Sequence, residues 1–222
     1  MTKEDGMSEK NNRQIETENQ HDSLVLSSIN TYLIIGGIGL LLCHYGEGDI
    51  ASLYPYSLSK DQWIRVGLLG LISASLLLIT SALFERQFES FKGLRDSFSN
   101  LFGGIAPVQL LFLSVVSGVS EEVFFRGGLQ PMLGVPLTAL IFGLLHLGPK
   151  GLPNSWSVWA LLSGFVLGFL ADRDGHIWSS TFAHILVNGF SFIMIHRAWK
   201  KQQSNQKAKG GIEPSQAEGK SQ

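Results

Sequence analysis

The chain has 222 residues, 45% of them hydrophobic, and a formal net charge of −1. That length suits one domain or one compact membrane bundle, and the near-neutral charge marks out no nucleic-acid partner. A single cysteine, Cys43, excludes an internal disulfide and any multi-cysteine metal site.

Charge is strongly segregated along the chain. Residues 1–23 and 198–222 are polar and carry too few apolar groups to offset their ordering entropy, so both are expected to be disordered tails. The first 23 residues hold six acidic groups (Glu4, Asp5, Glu9, Glu16, Glu18 and Asp22) against three basic ones. That balance fits neither a secretory signal nor an Arg-rich transit peptide, and the first apolar stretch is expected to be a retained helix.

A helix needs about 20 apolar residues to cross a hydrocarbon core, and lipid leaves no partner for free backbone groups. Six segments qualify as candidates, giving an all-α polytopic membrane bundle of about six transmembrane helices. They run roughly over 24–45, 66–84, 101–120, 135–147, 156–171 and 177–196. The third runs into a pair of glutamates, and the fourth is short, with Pro131 and Pro136 making its start irregular. Residues 24–98 thus form an N-terminal helical part and 99–197 a core. Between the second and third spans, Phe84, Phe88, Phe91 and Leu94 recur at helical spacing with charges opposite, as in an interfacial amphipathic helix. Gly164 and Gly168 form a small-xxx-small pattern that predicts close helix packing.

With six spans, both tails, the 85–100 loop and the Lys150 loop share one side and hold 13 of the 17 Lys and Arg residues. The positive-inside rule then puts both termini in the cytoplasm of a multi-pass protein of a bacterial-type plasma or internal membrane.

Charged groups inside the apolar part are few. No Asp, Glu, Lys or Arg lies between Ser97 and Ser120 or between Gly127 and Pro149, yet Glu121, Glu122 and Arg126 stand between those two runs. Each such charge costs about 2.5–3.5 kcal/mol at a bilayer centre on insertion scales. Glu122 and Arg126 are four residues apart and can pair on one helix face. Glu121 points roughly 100° away and is the freer carboxylate, suited to general-base work. A purely structural ion network is the competing reading.

His146 ends the fourth span, and His184 and Asn188 lie four apart within the sixth. Glutamate, two histidines and an amide from separate helices could converge on one cavity, where a glutamate or histidine takes a proton from water and His or Asn donates to an oxyanion. Glu121, His146 and His184 would equally make three ligands for Zn²⁺.

The pattern Glu121-Glu122-x-x-x-Arg126, Phe142-x-x-x-His146, His184-x-x-x-Asn188 resembles the three-motif signature of CAAX-prenyl-protease-type membrane proteases, the CPBP or Abi family. The resemblance covers about residues 108–192. It implies intramembrane endopeptidase activity on a peptide or membrane-protein substrate, with Glu121 and His146 activating the water. His184 and Asn188 would stabilise the oxyanion, with Arg126 and Glu122 as support. It leaves metal-dependent and metal-free chemistry open; the lack of a thiolate ligand and the presence of Asn188 favour the latter. Prenyl-processing members act on substrates presented from the cytosol, whereas a third span ending at Ser120 places Glu121 toward the opposite side. Two other classes share these features: a non-catalytic membrane scaffold, or immunity or secretion factor, of the same fold, and a proton-coupled transporter. No internal repeat pairs the two halves of the chain, which counts against the transporter. Substrate identity and oligomeric state are not encoded in these patterns.

Overall fold

The computed structural model describes residues 3–46, 48–147 and 151–210, and every regular element among them is helical. These are α1 (Lys3–Tyr45), the one-turn α2 (Ile50–Leu53), α3 (Lys60–Gln87), α4 (Glu89–Phe102) and α5 (Pro107–Glu122). A seven-residue π-helical turn (Val123–Leu129) leads into α6 (Gln130–Leu145), followed by α7 (Ser155–Asp174) and α8 (Trp178–Gly210).

Local chemistry sets the ends. Ser59 starts α3 with a reciprocal capping box, its hydroxyl accepting from the Gln62 N–H while the Gln62 side chain accepts from its own. Asn154 caps α7 in the same way with Ser157, and Gly175, at φ 69°, stops it in the left-handed region. Pro107 opens α5 at a position where no N–H is needed.

Among the described residues five helices are long and apolar enough to cross a membrane, and the third of these, Pro107–Leu145, joins two of the expected spans. Its 39 residues would be about 58 Å long as one straight rod, nearly twice a hydrocarbon core. Gly134 divides it: φ 72° with ψ 167° is open only to glycine, and Pro136 follows without an N–H to give. The part before the break, 107–133, is about 40 Å long, enough to cross; the part after it, 135–145, is about 16 Å long, enough for only half of a hydrocarbon core.

This corrects the expected end of the third span. Glu121 lies 14 residues from Pro107 and 12 from Leu133, so it is near mid-helix, about 20 Å from either end. The chain can continue through the charges because Glu122 and Arg126 pair with each other, and the π turn keeps the backbone bonded while shifting its register.

The tails also differ from expectation. Residues 3–23 continue α1 and 198–210 continue α8 as helix. Once the apolar part of each helix is packed, adding polar residues costs no new nucleation. Residues 211–222 lie outside the described part. The amphipathic segment forms α4, offset from α3 by an extended Phe88 at φ −122°, and buries Phe91 and Leu94.

Packing is close where glycines permit it. A Cβ on Gly39 of α1 would lie 2.5 Å from the Phe124 Cα, so α1 rests directly on the π turn. On Gly164 it would lie 3.0 Å from the Ala139 Cα, and on Gly168 3.0 Å from a Val135 methyl, as the small-xxx-small pattern predicts for α7 against α6. Side chains of α3, α4, α7 and α8 share a core of Leu77, Phe91, Trp159, Leu167 and Val187. The outer faces stay apolar, with Leu68, Leu71, Ile72, Leu76, Ile79 and Leu83 of α3 all exposed, as a lipid-facing surface requires.

Candidate active site

The six sequence-predicted residues come from four segments. α5 ends in Glu121 and Glu122, the π turn carries Arg126, α6 ends at His146, and α8 supplies His184 and Asn188. Antiparallel contact of α5 and α8, close enough that a Cβ on Gly118 would meet Ile185 at 2.8 Å, brings the glutamates opposite His184.

The spacing argument separates the glutamates, and the structure places them accordingly. Glu122 is fully buried and its Oε1 accepts from Arg126 Nη1 at 2.8 Å. The guanidinium also donates from Nη2 to the Gly164 carbonyl at 3.2 Å, and it lies 4.9 Å from the centre of the Phe142 ring. Glu121 turns to the other side. Its Oε2 is 3.8 Å from His184 Nε2 and 3.9 Å from His146 Nε2, and no hydrogen-bond partner reaches that buried oxygen.

The remaining ring nitrogens fix the tautomers. His146 Nδ1 lies 2.7 Å from the Phe142 carbonyl, which can only accept, so Nδ1 carries the proton. His184 Nδ1 lies 2.8 Å from Glu122 Oε1 and likewise donates. Both Nε2 atoms are thereby turned toward Glu121. His184 bridges the two glutamates, one at each nitrogen, a link that residue spacing does not reveal.

Among the described residues Asn188 makes no hydrogen bond to the other five. Its Nδ2 donates to Ser117 Oγ at 2.9 Å, one helical turn along α5 from Glu121, just as Asn188 is one turn along α8 from His184. Ser117 was not singled out by its sequence context, although its i−4 relation to Glu121 was a usable signal. Ser157 was likewise not singled out; its hydroxyl donates to the His146 carbonyl at 2.7 Å and ties the end of α6 to the start of α7.

The donor types of Glu121, His146 and His184 suit Zn²⁺, and anchored Nδ1–H groups are the usual support for imidazole ligands. Spacing is less suitable. Bonds of about 2.0–2.1 Å to a tetrahedral ion bring donors to about 3.3–3.4 Å from each other, whereas these edges measure 3.8 and 3.9 Å. Among the described residues no group of three His, Cys, Asp or Glu side chains has metal-holding geometry. A water within about 2.8 Å of each of these atoms is geometrically compatible with the same edges.

His146 is the most accessible of the three, its side chain 23% exposed against 11% for Glu121 and 7% for His184. It sits beside Trp156, which also contacts Phe91 and Phe98 of α4.

Comparison with known proteins points to the same stretch. Residues 103–190 match the Rce1-like family, described as type II CAAX prenyl endopeptidase Rce1-like. The chain is 31% identical over 111 residues to "Putative membrane peptidase YdiL" of Bacillus subtilis (strain 168), covering 45% of this chain and 43% of that protein. It is 27% identical over 81 residues to "Uncharacterized protein YpbD" of the same organism, covering 36% of this chain and 41% of the relative. The chain thus spans less than half the length of these curated relatives. No solved structure matches it.

Proposed function

We propose that this protein is an intramembrane endopeptidase that hydrolyses a peptide bond with a water held between Glu121, His146 and His184. The observation that carries this reading is the convergence of one unpartnered carboxylate oxygen and two imidazole Nε2 atoms at 3.8–3.9 Å, in a buried site inside an Rce1-like segment.

Charge balance supports the assignment of roles. Glu121, Glu122 and Arg126 sum to −1, so one further proton makes the buried cluster neutral, the state that low dielectric favours. With it on His184, the Nδ1–H is held by Glu122 and the Nε2–H is free to donate to a substrate carbonyl oxygen. Glu121 Oε2 then accepts a proton from the water while His146 Nε2 orients it.

The water oxygen forms a bond to the carbonyl carbon as one O–H bond breaks and its proton moves to Glu121. Negative charge develops on the carbonyl oxygen, where His184 Nε2–H and Asn188 Nδ2–H stabilise it. As the C–N bond breaks, Glu121 returns the proton to the leaving nitrogen, giving a free amine and a carboxylic acid that ionises. Arg126 and Glu122 hold His184 in place without touching the reacting atoms. A metal would be held by Glu121, His146 and His184 and would supply Lewis-acid polarisation, but no step above depends on it.

Mid-helix Glu121 is compatible with peptide or membrane-protein segments presented from the side that carries α4, which the basic residues would assign to the cytoplasm.

The test is cleavage of a broad peptide panel by the purified full-length chain and its Glu121→Ala variant. Cleavage by the wild type alone is expected; equal cleavage by both, or by neither, defeats the proposal. A scaffold role would instead leave cellular function intact in both Glu121→Ala and His184→Ala.

A further inference from the structure

The last turns of α8 present a face that the hydrolytic cluster does not use. At about 100° per residue, Phe190, Ile193 and Met194 share one arc of the helix with Arg197, Lys200 and Lys201. The three apolar side chains are nearly half exposed, as a lipid-facing surface requires, and the three cations that follow them are exposed as well. The opposite side of the same turns is anchored. Ile195 is buried, His196 Nδ1 donates to the Gly103 carbonyl at 2.8 Å, and Trp199 packs against Gly103. One helix face therefore changes from hydrocarbon to cation within a single turn, and its direction is fixed by the packing behind it.

Depth agrees with that change. Trp178 and Trp199 are aromatic residues of the kind that mark membrane interfaces, and they lie 21 residues apart in α8, or about 32 Å. A hydrocarbon core is about 30 Å thick, and each headgroup layer adds about 5–8 Å. Arg197, Lys200 and Lys201 lie about 4–11 Å beyond Met194 along the helix axis. They stand at the level of the headgroups, on the side of α8 that lipid covers.

Charge selects the headgroup. No Asp or Glu lies between Asp174 and Glu213, an interval that holds the five basic residues Arg197, Lys200, Lys201, Lys207 and Lys209. Glu16, Glu18 and Asp22 of α1 emerge at the same end, where Asp22 accepts from Gln109 Nε2 at 3.1 Å. Among the described residues, however, no ion pair joins these acids to Arg197, Lys200 or Lys201. A soluble acidic partner would match only the cations. A lipid of the surrounding leaflet matches both parts of the face, its acyl chains against Phe190, Ile193 and Met194 and its phosphate against the cations.

We infer that this face of α8 is a binding site for an anionic phospholipid of the surrounding bilayer, its headgroup held by Arg197, Lys200 and Lys201. Phosphatidylglycerol and phosphatidylcholine with the same acyl chains differ in net headgroup charge, and native mass spectrometry of the full-length protein released from detergent resolves the first lipid bound. No catalytic activity is needed. The first phosphatidylglycerol is expected to bind about tenfold tighter than the first phosphatidylcholine. Arg197→Gln/Lys200→Gln/Lys201→Gln should remove at least about fivefold of that preference, the equivalent of one near-surface cation at about 1 kcal/mol. Lys60→Gln/Arg173→Gln removes two exposed charges at the opposite end of the bundle and should leave the preference unchanged. Equal binding of the two lipids by the wild type, or equal losses in the two variants, would overturn the assignment. So would a triple variant that keeps the lipid preference but melts lower without lipid, which would give the row to the acidic part of α1 instead.

Discussion

Removing Arg126 tests the electrostatic design of the core most directly. Glu122 is fully buried, and its Oε1 accepts from Arg126 and from His184 while Oε2 has no hydrogen-bond partner. Arg126→Met keeps much of the side-chain volume and removes the only permanent cation in contact with that carboxylate. Breaking a buried pair from one side costs about 3–5 kcal/mol, because the remaining charge is left uncompensated. For a chain of this size that corresponds to a drop of roughly 6–20 °C in melting temperature. The double variant Glu122→Gln/Arg126→Met removes both charges together and should recover most of the loss, since an uncharged pair needs no counter-ion. Circular dichroism melts in detergent compare the two variants with the wild type. If Arg126→Met melts with the wild type, or the double variant melts no higher than the single one, Glu122 is not held as an ion by Arg126 and the charge-balance argument fails with it.

Four further outcomes are expected. Glu121→Gln is nearly isosteric, and it should lower kcat about 10²–10⁴-fold with a melting temperature no lower than wild type, because the lost oxygen charge had no partner. Thorough chelation should leave peptide cleavage unchanged; stoichiometric zinc in the purified protein together with chelator-sensitive cleavage would return Glu121, His146 and His184 to the role of ligands. Ser117→Ala releases the Asn188 amide from its 2.9 Å hydrogen bond and should reduce kcat more than it raises KM, an effect read from steady-state kinetics. Gly39→Leu drives a side chain into the Phe124 backbone and should destabilise by about 1–3 kcal/mol or more, seen as a lower melting temperature.

The residues differ in how far their environment could be read in advance. Glu122 and Arg126 are legible because i, i+4 spacing is enforced by helix geometry whatever surrounds it. The different directions of Glu121 and Glu122 follow from the same geometry. The contact of His184 with both glutamates is not legible, since it depends on the register of α8 against α5, set by packing at Gly118 and Ile185. The end of the third span was misjudged because hydropathy reads charge as a boundary, and nothing in Val123–Leu129 marks a π turn that carries the helix past it. The helical extensions at 3–23 and 198–210 were missed for a related reason: composition describes an isolated segment, not one continuing a packed helix.

The half-crossing helix α6 acts as a measuring rod. Its foot is fixed at Gly134, the one conformation in that stretch closed to other residues, and its tip is His146, held by the Phe142 and Ser157 contacts. The distance between them sets the depth at which the His146 imidazole meets Glu121. One inserted residue would swing that ring by about 100°, and a whole added turn would restore its direction but carry it about 5.4 Å beyond its partner. Sequence within α6 is therefore free to vary along its lipid-facing side, while its length is not.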